Sequence, residues 1–96
     1  MDEATRTEIA ALGQQAHALT ESAYRAHPAT RGDSEWLEKQ RILLADMALH
    51  LLHTALREGE LPVDDLQRNL YAILTISDGF IPGAGLKAGA DRLREN

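Results

Sequence analysis

Pro28 with Gly32, Gly59 with Pro62, and the run Gly79, Pro82, Gly83 and Gly85 cut this sequence into four pieces. Proline lacks the backbone N–H that a helix interior needs, and it pushes the residue before it out of the helical region. Glycine supplies the left-handed turn that closes many helices. Between these cuts the apolar residues recur every three or four positions, the spacing of one helix face. No piece alternates apolar and polar residues as a strand does. The punctuation predicts an all-α chain, with three long helices near 5–26, 34–58 and 64–78 and a short one near 86–94. Connections of about five to seven residues suit antiparallel neighbours in a bundle. The length of 96 residues suits one domain, 1–96.

The pieces differ in how much apolar surface they offer. The first carries Ile9, Leu12, Ala16, Leu19, Ala23 and Ala26 on one stripe, half of it alanine. Alanine permits close approach and contributes little burial. Gly13 costs that helix about 1 kcal/mol relative to alanine. The second piece has two stripes, Leu37, Leu44, Met47, Leu51 and Ile42, Leu49, Leu56. Only the line Lys39, Asp46, His50, His53, Arg57 stays polar. A helix apolar around most of its girth belongs in the middle of a bundle or in an interface. Asp33 or Ser34 is placed to cap this helix, and Gly59 to close it. In the third piece Asp64 and Gln67 have capping-box spacing. The expected core is Leu44, Met47, Leu51, Leu70 and Ile73.

Composition closes off several chemistries. The chain has no cysteine, which excludes disulfides, thiolate metal sites and thiol catalysis. Fifteen acidic against ten basic residues give a net charge of −5, spread along the chain. Nucleic-acid binding needs clustered Lys and Arg to displace phosphate counterions, and no such cluster exists. An anionic membrane surface is disfavoured on the same ground. No apolar run reaches the roughly 20 residues of a membrane span. The N-terminal residues Met1 to Arg6 are charged rather than leader-like, so the expected location is the cytoplasm.

Two segments resemble chemistry more than the rest. Asp46, His50 and His53 share one helix face, at spacings of four and three. Two imidazoles and a carboxylate suit zinc or a similar ion, with His17 or His27 as a candidate fourth ligand. The plainer reading is the solvated polar edge of an apolar helix, and the sequence assigns no metal and no cofactor. Gly83 to Gly89 is glycine-rich and contains Lys87, but it lacks the preceding strand and the Gly-Lys-Ser/Thr order of a phosphate loop. It reads as a turn before the last helix. No serine stands in a nucleophile motif, and the chain reads as a non-enzyme.

What remains is binding to another protein. Glu35, Glu38 and Gln40 surround Trp36 at the start of the second helix, an aromatic anchor with a charged rim. Asp64 and Asp65 form a second acidic group. Charge of this sign suits a partner with a basic face. The alternatives are a helical homo-oligomer, in which the second helix buries its extra stripe against a copy of itself, and a metal-binding protein using Asp46, His50 and His53.

A helix that ends near a proline is followed by one that opens on Glu38-Lys39-Gln40, and then by one in which Leu70 precedes Phe80 by ten positions. This order resembles the small helical immunity proteins that neutralise NAD(P)-hydrolysing toxins delivered by the type VI secretion system. The third helix departs from that family's Gly-x-x-Ala-x-(Lys/Arg)-Glu run and has Tyr71 to Asp78 there instead. The resemblance implies a non-catalytic inhibitor of a toxin, with Glu38 and Gln40 as contact residues.

Overall fold

A computed structural model describes residues 1–95. It is all-helical, with α1 at Glu3–Ala26, α2 at Trp36–Ala55, α3 at Val63–Asp78 and α4 at Leu86–Arg94. Three long helices and a short C-terminal one match the order expected from the punctuation. Among the described residues, no helix is long and apolar enough to cross a membrane.

The ends show how local chemistry sets the bounds. Asp2 caps α1 by accepting the Thr5 N–H at 2.8 Å. This bond to the carboxylate holds the Asp2 pKa below its usual value. α1 stops at Ala26, two residues before Pro28. α2 is shorter than expected at both ends. Asp33 does not cap it. Its carboxylate instead accepts the Thr30 N–H at 2.7 Å and tightens the preceding turn. The expected capping box of α3 also does not form. α3 begins at Val63, so Asp64 lies inside its first turn and makes no capping bond. Gly59 does take the left-handed conformation, at φ 81°.

Cross-links between helix ends establish the antiparallel order. Arg6, near the start of α1, donates to the Leu56 carbonyl at 2.6 Å, just past the end of α2. That carbonyl has no partner within its own helix, so the guanidinium completes the helix end. At the other end Lys39 donates to the Ala29 carbonyl at 3.1 Å and lies 4.9 Å from the Tyr24 ring centre. Thr54 on α2 donates to Asn69 on α3 at 2.5 Å. Lys87, in the first turn of α4, donates to the Tyr71 hydroxyl at 2.8 Å, and Arg94 reaches the same oxygen at 3.2 Å. These bonds to its oxygen set the Tyr71 pKa below the ordinary phenol value.

The bundle is open. α1 packs on α2, α2 on α3 and α3 on α4, and among the described residues no other pair of helices comes together. The molecule measures 44 × 34 × 16 Å. The radius of gyration is 15.0 Å, against about 12.5–13 Å for a compact domain of this length.

The core expectation needs correction. Leu44, Met47, Leu51, Leu70 and Ile73 are only partly buried. Among the described residues the buried apolar ones are Ala29 and Ala90, and no large side chain is enclosed completely. The cause is topological. A helix with a neighbour on each flank and nothing above or below it cannot enclose its leucines.

Candidate functional site

The pairing of α1 with α2 divides this layer into two unlike faces. At about 100° per residue, Arg6, Gly13, Thr20, Tyr24 and His27 fall on one line of α1. All five positions are partly buried, and they run along α2. At Gly13 the backbone of α1 lies against a side chain of α2. A methyl group placed there would sit 3.1 Å from Leu52 Cδ2. The contact line therefore uses small and polar residues of α1 rather than the expected leucines. Leu12 and Leu19 point away from it, at 58% and 72% exposure.

One face is apolar. Leu19 and Ala23 line a shallow groove with Ile42 and Ala45 of α2, edged by Glu38 and Arg41. The exposed strip of α2 continues through Leu37 and Ala48, which lie on nearly the same bearing of the helix.

The other face is polar and highly connected. Asp46 is buried, with 6% of its surface exposed. The Thr20 hydroxyl donates to its Oδ1 at 2.6 Å, and His17 Nδ1 lies 2.7 Å from the same atom. His50 Nε2 is 3.3 Å from Asp46 Oδ2. The other nitrogen of His17, Nε2, is 3.1 Å from Glu21. The two imidazoles meet edge to face with their centres 4.7 Å apart. Burial opposes ionisation of Asp46. The hydrogen bonds from Thr20 and His17, with the charge of His17 and His50 nearby, outweigh that cost and hold its pKa below the usual carboxylate value.

Asp46 and His50 thus come together as their spacing implied. His53 lies along the same cleft but adds no atom to the cluster, and His17 takes the place given to it. His27 is elsewhere. Its ring nitrogen accepts the Ala29 N–H at 3.2 Å and closes the turn after α1. No local signal links His17 to Asp46, because the two are 29 positions apart.

The acidic residues proposed for a partner form two separate places. Glu35, Trp36, Glu38 and Gln40 lie at the start of α2, whereas Asp64 and Asp65 open α3 beside its far end. A helix of 20 residues puts about 30 Å between them. Trp36 is partly buried, Glu35 and Glu38 are exposed, and Gln40 is partly buried. Glu38 pairs with Arg41 at 3.3 Å. Asp65 holds Arg57 at 2.7 Å and also pairs with Arg68. The glycine-rich turn leads into α4, and its Lys87 side chain is engaged by Tyr71 and Asp91.

Comparison with known proteins finds no match among family models, curated proteins or solved structures.

Proposed function

We propose that this chain is a non-catalytic protein-association domain, and that the protein covering its apolar face is a second copy of itself. The observation that carries this reading is surface area. The chain exposes 6585 Å². A compact monomer of 10.6 kDa exposes about 5,500 Å². The surplus is about 1,100 Å² per chain, or about 2,200 Å² for a pair, which lies in the range of obligate homodimers. The surplus coincides with an open layer whose first helix turns Leu12 and Leu19 outward. Two such layers stacked through these faces give each α2 the third neighbour that its apolar girth calls for.

An inhibitor of a basic toxin is the heterologous form of the same reading, with the partner seated on the same groove between Glu38 and Arg41.

Light scattering and sedimentation at micromolar concentrations test the choice. The expected result is a dimer that becomes monomeric in Leu12→Glu/Leu19→Glu while remaining helical by circular dichroism. A wild type that stays monomeric at the highest soluble concentration overturns self-association. So does a double variant that dimerises as well as wild type.

A further inference from the structure

The polar face offers an arrangement that partner binding does not use. One ring nitrogen each of His17 and His50 and one Asp46 carboxylate oxygen lie within 4.8 Å of one another, on two helices. A tetrahedral zinc ion with bonds of about 2.0–2.1 Å holds its ligand atoms about 3.3 Å apart. His17 Nδ1 lies 2.7 Å from Asp46 Oδ1, a hydrogen-bond distance, and His50 Nε2 lies 3.3 Å from the other oxygen, Oδ2, so an ion would take the place of the proton shared in the first contact and widen it by about 0.6 Å. Small side-chain rotations are enough to admit an ion.

From this geometry we infer that His17, Asp46 and His50 form a site for one divalent transition-metal ion of the zinc class, which clamps α1 to α2. The donor set decides the class of ion. Two imidazoles and one carboxylate suit zinc, cobalt(II), nickel or copper, whereas magnesium and calcium prefer sites made wholly of oxygen.

Two further contacts argue for a site built around the ligands. Glu21 holds Nε2 of His17 at 3.1 Å, which leaves Nδ1 as the coordinating atom. A carboxylate on the far nitrogen of a ligating histidine is the usual outer-shell arrangement, and it orients the ring. Thr20 does the same for Asp46, donating to its carboxylate at 2.6 Å. Both supports come from α1, while two of the three ligands come from α2. The position facing the ion opens on the cleft lined by Gln14, His17, His50 and His53, which provides an approach route and room for a water as fourth ligand. The His50 side chain is 42% exposed and can move to admit the ion.

The test uses full-length, untagged protein stripped with a chelator. Zinc is titrated by calorimetry, and melting is followed with zinc or magnesium present. The expected result is one zinc per chain at micromolar or better affinity and a melting temperature raised by zinc but not by magnesium. Cobalt(II) should give the visible absorption of a four-coordinate nitrogen–oxygen site. His50→Ala removes a partly exposed ligand and should fold while losing both the heat of binding and the shift in melting. Glu21→Gln should weaken zinc binding by about 10–100-fold. His53→Ala should bind zinc as wild type does. The inference is overturned if stripped wild type takes up no zinc, if His50→Ala binds as tightly as wild type, or if His53→Ala abolishes binding. Zinc binding by a strictly monomeric protein would support this site and overturn self-association, so the two readings can fail separately.

Discussion

Leu19 and Glu21 are two positions apart on α1, yet they belong to faces built on opposite principles. On the side of Leu19 the helices present apolar side chains to nothing within the chain. On the side of Glu21 a buried carboxylate is engaged by its neighbours, through His17, Asp46, Thr20 and His50. The first face has apolar area without partners. The second has partners for its buried carboxylate, although Ala10, Leu49, Leu52 and Leu56 also line its cleft. Apolar burial is non-directional and needs only area, so a second molecule can supply it. A buried carboxylate needs donors at fixed positions, and those must come from within the fold. This difference explains why the chain completes one face and leaves the other open.

Separating the helices breaks both faces together, so it should have the largest effect. A methyl group at Gly13 already meets Leu52, and Gly13→Leu must push α1 away from it. We expect a loss of about 3 kcal/mol, at the upper end for overpacking. That corresponds to a fall in melting temperature of about 4–8 °C per kcal/mol for a domain of this size. Gly13→Ala should be nearly neutral. The about 1 kcal/mol gained from helix propensity is set against moving the end of one flexible leucine. Thermal denaturation followed by circular dichroism measures both.

Next comes the hub of the polar face. Asp46→Ala removes the acceptor of Thr20 and His17 and should cost about 2 kcal/mol. The effect must depend on pH. The folded-state pKa of Asp46 is depressed, so its contribution is present above the unfolded value of about 3.9 and is lost as pH falls through the lower folded value. Denaturant melts should show the full difference between wild type and variant at pH 6 to 7. The curves should draw together below about pH 4. A difference that persists unchanged at pH 2 would place the effect in packing rather than in the carboxylate.

The helices were legible because their ends are local. Pro28, Gly59, Pro62 and Gly79 act on the residues beside them, and the observed bounds follow the expected ones to within three positions. The caps were less so. Asp33 and Asp64 are competent capping residues, but each depends on where the first turn begins, and a shift of one or two residues redirected both. The facing of α1 was legible only in part: of the expected stripe Ile9 and Ala16 are partly buried, whereas Leu12, Leu19, Ala23 and Ala26 are exposed. An alanine-rich helix satisfies the three–four spacing along several lines at once, and the line through Gly13, Thr20 and Tyr24 obeys it as well as the line through Leu12 and Leu19. The choice between them belongs to α2, where Asp46 has to find donors. In the cluster itself, the pair Asp46 and His50 is a local spacing and could be read. His17 is joined to them only by the tertiary pairing of α1 with α2.

Of the two faces, the apolar one should respond to dilution. Leu19→Ser alters a side chain that is 72% exposed in the single chain. In an isolated monomer such a change falls within about 0.5 kcal/mol. Covered by a second copy, the same leucine contributes about 1 kcal/mol per chain, and the melting temperature then rises with protein concentration. Melts over a hundredfold range of concentration should show a slope for wild type and a shallower one for Leu19→Ser. Parallel, flat lines for both would mean that the face stays uncovered.

The smallest expected effect is Glu21→Gln, and it sharpens the comparison because the change is two residues from Leu19. Glu21 pairs with Arg25 at 2.8 Å and with His17 at 3.1 Å, both across partly exposed surface. Ion pairs of this kind contribute about 0–1 kcal/mol, and salt screens them. Glutamine keeps the length and an acceptor oxygen for His17, so the loss in stability should stay within about 0.5 kcal/mol and shrink in high salt. The melting temperature of this variant should rise with protein concentration just as that of wild type does, since the substitution leaves the apolar face intact. Leu19→Ser should show the reverse, a changed concentration dependence with little response to salt. If Glu21→Gln instead alters the concentration dependence, the two sides of α1 are coupled through the second molecule, and the division into an open face and a completed one fails at this helix.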